Sequence, residues 1–183
     1  MTYQDLIRGL KQYGASEEDI CLRGIGVQAS LVGEHVVIAP WWEPASLPDL
    51  GNATYLSKSE SDSVKVWNIQ NPDGDMTYIK TGIGAPVLMD VVLSLGVTKC
   101  KTILFVGSVG SLDPAIGIGD VVVPAYSICG DGASRYIAGN TLSEHDCFDE
   151  KVYPNESLFY QLKNAAKTVC AEQNVSLHIG KNF

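Results

Sequence analysis

Residues 102–106 read Thr-Ile-Leu-Phe-Val, and the chain passes at once into Gly107-Ser108-Val109-Gly110-Ser111. An unbroken β-prone apolar run marks a strand with apolar neighbours on both faces, as in a parallel sheet covered by helices. A small, glycine-rich loop at the carboxyl end of such a strand is where open α/β sheets receive ligands. The run and its loop set two expectations: an α/β fold, and a site starting near residue 107.

The flanking segments agree. Leu6, Ile7, Leu10 and Tyr13 recur at helical spacing before Gly14, and Ser16-Glu17-Glu18-Asp19 reads as a capped start with an acidic first turn. His35–Ala39 is a short apolar strand closed by Pro40, followed by a loop through residues 41–52 with Pro44, Pro48 and Gly51. Residues 64–69 and 76–81, on either side of Asn71-Pro72-Asp73-Gly74, predict an antiparallel hairpin. Pro86 opens a helix that Gly96 ends. Residues 120–123 predict another strand. Asn155 caps a long helix whose Leu158, Leu162, Ala165, Val169 and Cys170 face inward, and residues 176–179 form a last strand. This order predicts an α/β fold with a three-layer arrangement, a mixed central sheet flanked by helices, in a single domain over residues 1–183.

With 45% apolar residues, the 183-residue chain has material for a core. Its net charge of −8 lacks the clustered Lys and Arg that phosphate backbones require, so no nucleic-acid partner is expected. The carboxylates Glu144, Asp146, Asp149, Glu150 and Glu156 read as a solvated face. No apolar run reaches membrane-spanning length and no signal peptide is visible at residue 1, so a cytoplasmic protein without a membrane partner is expected. The five Cys (21, 100, 129, 147, 170) and three His (35, 145, 178) have no zinc-ligand spacing. The cysteines read as reduced packing residues and no metal is expected.

Two glycine-rich loops carry the candidate chemistry. Thr81-Gly82-Ile83-Gly84-Ala85-Pro86 joins a strand to a helix, where bare N–H groups can receive an anion or where a tight turn simply needs positive φ. In Val106-Gly107-Ser108-Val109-Gly110-Ser111-Leu112, Ser108 offers a hydroxyl between bare N–H groups. The pattern is not a G-x-S-x-G nucleophile elbow, and no His is spaced to pair with Ser108. Gly24-Ile25-Gly26-Val27-Gln28-Ala29 has no strand before it, against a dinucleotide motif.

Taken in order, Lys80-Thr81-Gly82-Ile83-Gly84-Ala85-Pro86, Leu104 to Leu112 and Ile118-Gly119-Asp120-Val121-Val122-Val123-Pro124 resemble the nucleoside phosphorylase family. Asp131-Gly132-Ala133-Ser134 and Leu177-His178-Ile179-Gly180 are similar to its uridine phosphorylase branch. The resemblance covers residues 76–183. It implies cleavage of a nucleoside's N-glycosidic bond by phosphate as co-substrate, with no other cofactor, giving a free base and ribose 1-phosphate. It places phosphate at Ser108 and the base at Val109 and Gly110, and implies a homo-oligomer. Asp120 reads as a turn or cap into the next strand.

The departures from the pattern lie among the same motifs. The family's Arg two residues before the Gly matched by Gly107 is Phe105 here. Its early Gly-Asp-Pro phosphate loop, with a nearby Arg, corresponds to Ala39-Pro40-Trp41-Trp42-Glu43-Pro44. Two guanidinium forks are thereby replaced, leaving Arg23, Lys80 and Arg135 as substitutes or as ordinary surface bases. Trp41 and Trp42 are open to two readings, base stacking or packing. The family's ribose-binding Met-Glu pair and leaving-base acid have no counterpart, so no catalytic residue is assigned and the chain reads as lacking the family's C-terminal part. Three outcomes stay open: a phosphorylase, a nucleosidase using water, and an inactive nucleoside-binding or oligomeric scaffold.

Overall fold

The computed structural model describes residues 3–57, 63–133, 135 and 147–182. The chain divides into two compact units, Met1–Ser108 and Val109–Phe183. Both are α/β with mixed sheets and flanking helices, as the sequence predicts.

The first unit begins with helices α1 (Tyr3–Gln12) and α2 (Glu17–Ile25). Gly14 ends the first stretch at φ 82°, its N–H bonded to Lys11 O. On α1, Ile7 is buried but Leu10 is exposed, as is Tyr13 just past the helix, so the inward face is narrower than the spacing predicts. Ser16 and Asp19 form a capping box, each side chain accepting the other's backbone N–H at the start of α2. Strands β1 (His35–Ala39), β2 (Asn52–Tyr55), β3 (Lys65–Gln70), β4 (Met76–Lys80) and β5 (Thr102–Phe105) form one sheet in the order β2-β3-β4-β1-β5, and α3 (Ala85–Leu95) links β4 to β5. β1 is parallel to both β4 and β5, whereas β2-β3 and β3-β4 are antiparallel. The β3-β4 hairpin closes through Gly74 N–H to Asn71 O (2.9 Å) and Asp73 N–H to Asn71 Oδ1 (3.0 Å). The 3₁₀ turn Pro44–Ser46 lies within the stretch 41–52 that reads as loop, and β2 starts at its last residue, Asn52.

The two faces of this sheet bury different sets. On one, Val36, Ile38, Val66 and Ile79 pack with Cys21 and Ile25 of α2 and Val91 and Leu95 of α3. On the other, Ala39, Trp67, Ile69 and Tyr78 gather Val37, Leu47, Leu50 and Tyr55. Alternation along β1, β3 and β4 generates both sets. α2 and α3 approach so closely that a Cβ on Gly24 would lie 1.7 Å from Ser94 Oγ and 2.7 Å from Ser94 Cβ.

One expectation fails here. β5 is not enclosed on both faces: Ile103, Leu104 and Phe105 are exposed. β5 is also an edge strand, with β1 as its paired neighbour among the described residues, and none of its residues belongs to either buried set of the sheet. A continuous apolar run marks a β-prone segment but does not say which neighbours it receives.

In the second unit, β6 (Val121–Ile128) lies between β7 (Lys151–Val152), antiparallel, and β8 (Leu177–Asn182), parallel, and helix α4 (Glu156–Glu172) runs between β7 and β8. Asn155 caps α4 as expected, its side chain accepting Leu158 N–H at 3.1 Å. The inward face predicted for α4 reduces to Cys170, since Leu158, Leu162, Ala165 and Val169 are exposed. Helical spacing fixes which residues share a face; only packing decides whether that face is covered.

Candidate functional site

Three parallel strands, β4, β1 and β5, end along one edge of the first sheet. Ala39 pairs with Lys80 and Ile38 with Phe105, so their carboxyl ends lie level. Three loops leave from this edge: Thr81–Gly84, Pro40–Pro44 and the segment starting at Val106. They are tied to one another. Thr81 N–H donates to Ala39 O (3.0 Å), Gly82 N–H to Pro40 O (2.9 Å) and Val106 N–H to Ile38 O (2.9 Å). The carboxyl edge of parallel strands is where α/β sheets bind ligands.

The Thr81–Gly84 loop is chiefly a turn. Gly82 and Gly84 have φ of 80° and 118°, and Gly82 N–H is already engaged, so positive φ explains these glycines without an anion. Ser108 lies past the end of β5 and is exposed, as are Val109 and Gly110, which follow it into the second unit. A Cβ at Gly107 would meet the Phe105 ring at 3.3 Å and Pro40 Cγ at 3.7 Å, so the β1 and β5 loops touch at this point. Phe105, in the position where an Arg would reach an anion, presents an exposed ring.

The β1 loop carries a charge cluster whose members the sequence leaves scattered. Glu43 Oε1 accepts from Lys80 Nζ (2.7 Å) and Lys65 Nζ (3.3 Å). These two hydrogen bonds hold its carboxyl below the usual range. Burial, then the Glu43 charge, raises the Tyr78 phenol, whose hydroxyl donates to Trp42 O at 2.9 Å. Lys65 and Lys80 stand directly opposite each other, a pairing of like charges that Glu43 offsets. The hairpin turn would have revealed that opposition in the sequence; Glu43 becomes visible only once β1 is known to lie beside β4. Of the substitute cations, Lys80 shares the single Glu43 carboxylate with Lys65, Arg23 lies near Asp19, and Arg135 stacks on Phe148 at 5.0 Å. Trp41 is exposed at the same edge, and Trp42 is half-buried.

In the second unit, Asp120 Oδ2 accepts Gly117 N–H (2.8 Å) and meets His178 Nε2 (2.9 Å). The Gly117 bond, then His178, lowers its pKa. The Gly117 bond fits the turn reading of Asp120, whereas the His178 contact joins it to β8, 58 positions away. His35 Nδ1 pairs with Thr102 Oγ1 at 2.7 Å, so both described histidines have partners other than Ser108. His145 and Ser134 lie outside the described residues. Gly24 and Gly26 end α2, with Gly26 at φ 76°, and form no dinucleotide loop. Among the described residues no group of three or more His, Cys, Asp or Glu could hold a metal ion, and no helix is long and apolar enough to cross a membrane.

The model of the phosphorylase superfamily matches residues 48–183, about three quarters of the sequence. The chain belongs to this superfamily. Uridine phosphorylases of Escherichia coli K12 and Klebsiella aerogenes are each 33% identical over 72 residues, 39% of this chain and 28% of theirs. A uridine phosphorylase structure from Vibrio fischeri ES114 superposes with a TM-score of 0.67 at 21% identity, covering 85% of this chain and 60% of that one. The same enzyme bound to 6-hydroxy-1-naphthoic acid gives 0.66, with 82% and 57% covered. The superfamily fold is thus shared, and at 183 residues the chain is shorter than these relatives.

Proposed function

We propose that this chain carries a nucleoside phosphorylase-type site that cleaves the N-glycosidic bond of a nucleoside, with phosphate as co-substrate and a free base and ribose 1-phosphate as products. The supporting observation is the exposed loop at the carboxyl end of β5, within the stretch that matches the superfamily. In this reading Ser108 and the neighbouring N–H groups hold phosphate, while Val109 and Gly110 line the nucleoside. Positive charge develops on the ribose as the bond breaks, so an anion beneath the ring stabilises the transition state, and the base leaves with a proton or hydrogen bonds. No residue is assigned as the acid. We read the two units as one functional domain, in a cytoplasmic homo-oligomer.

A second reading, hydrolysis by water, is favoured by Phe105, an exposed aromatic ring that offers no charge to phosphate at the end of β5. The test is incubation with uridine and purine nucleosides, with and without phosphate, followed by chromatography for free base. Phosphate-dependent release supports the first reading, and release at equal rate without phosphate supports the second. Calorimetric binding without release leaves a nucleoside-binding scaffold. For a phosphorylase, Ser108→Ala should raise the KM for phosphate roughly 10- to 100-fold, the loss of a hydrogen bond to a charged group.

A further inference from the structure

Cys129, just past the end of β6, and Cys147, just before β7, bring their sulfurs to 3.5 Å although they lie 18 positions apart. Both are buried, and neither is in a disulfide. Their backbones share one hydrogen-bonded frame. Cys129 N–H donates to Glu150 O (2.9 Å), Asp149 N–H to Cys129 O (2.8 Å) and Glu150 N–H to Cys147 O (3.2 Å). The last bond closes a turn in which Asp149 takes a φ of 68°. Packing needs alone would be met by any small apolar pair. The two thiols are in contact at 3.5 Å, and a bond between them requires the sulfurs to approach to about 2 Å.

We propose that Cys129 and Cys147 form a reversible dithiol site that accepts oxidising equivalents from a low-molecular-weight disulfide such as oxidised glutathione. Cys129 is the more exposed of the two and attacks first. Burial, and then the neighbouring Cys129, raises the Cys147 thiol above its ordinary range. The Cys129 thiolate bonds to one sulfur of the small disulfide; that S–S bond breaks, and the departing thiolate takes up the proton Cys129 released. Cys147 then gives up its proton and attacks Cys129 sulfur in the mixed disulfide, expelling the second small thiol. Two protein thiols and one small disulfide become one protein disulfide and two small thiols. The other cysteines have no such neighbour: Cys21 is fully buried, its thiol pushed up to about 11 by burial and the Glu18 charge, and Cys100 Sγ contacts Thr102 O. The proposal is independent of any nucleoside chemistry.

The test is oxidation of the full chain with oxidised glutathione, alkylation, and tryptic mapping by mass spectrometry. The expected product has lost two hydrogens and yields peptides 102–135 and 136–151, each with a single cysteine, as a linked pair that dithiothreitol separates. Cys21, Cys100 and Cys170 should stay alkylatable after denaturation. Cys129→Ser should abolish the linked pair, and Cys147→Ser should leave a stable glutathione adduct on Cys129. Separate alkylation of Cys129 and Cys147 in the oxidised wild-type chain, or glutathione persisting on both, overturns the proposal without any variant.

Discussion

In the first unit, β1 and β4 have a strand on either edge and bury side chains on both faces. In the second, β6 also has a strand on either edge, yet the buried apolar side chains among its described residues are Val123, Cys129, Cys147 and Cys170. Completing a hydrogen-bonded ladder is therefore distinct from building a core. Area removed from water supplies most of the stabilisation, and ladders chiefly avoid the cost of unpaired backbone groups.

Substitution at equivalent apolar sites should separate the two units most sharply. Ile79→Ala, at a fully buried position, should cost about 2–5 kcal/mol in urea unfolding. Leu162→Ala, on the exposed side of α4, should cost within about 0.5 kcal/mol. Equal costs would break the comparison by showing that α4 buries its apolar face in solution.

Next comes the contact between α2 and α3. Gly24→Ala must push against Ser94, including its Cβ, which no rotation of the hydroxyl moves away. A loss of about 1–3 kcal/mol is expected, partly recovered in the double variant Gly24→Ala/Ser94→Gly. A fully additive double variant would place the damage elsewhere.

The smallest effects are acidic. Glu43 in the first unit and Asp120 in the second both have carboxyls held below their ordinary values of 4.5 and 3.8. A depressed carboxyl contributes stability that is present above its unfolded pKa and lost as pH falls through the folded one. Thermal melts should therefore fall on acidification below about pH 4 to 5. Glu43→Gln and Asp120→Asn should each flatten that limb slightly, since both groups are accessible to solvent. An acid limb unchanged in both variants would assign it to other carboxylates.

Much of the scaffold is legible in the sequence because its signals are local. The Ser16 capping box, the Asn71–Gly74 turn, Pro86 at the start of α3 and the Asn155 cap each act within a few residues. The edge placement of β5, the exposure of α4 and strand β2 depend on which segments become neighbours, and no short window contains that information. The candidate site divides in the same way. The loop containing Ser108 is visible as a glycine-rich strand end, while the Glu43–Lys65–Lys80 cluster draws on three segments that the sheet order brings together.

The sheet order also has a consequence in time. The β3-β4 hairpin can zip as soon as its turn is made, but β1 reaches its place between β4 and β5 only after both have left the ribosome. His35 waits for Thr102, 67 positions later, which it contacts through both ladder and side chain. Contacts of such long sequence separation form late because the intervening chain must first give up its freedom. During synthesis the apolar strand His35–Ala39 thus lacks both of its strand partners until β4 and β5 have emerged.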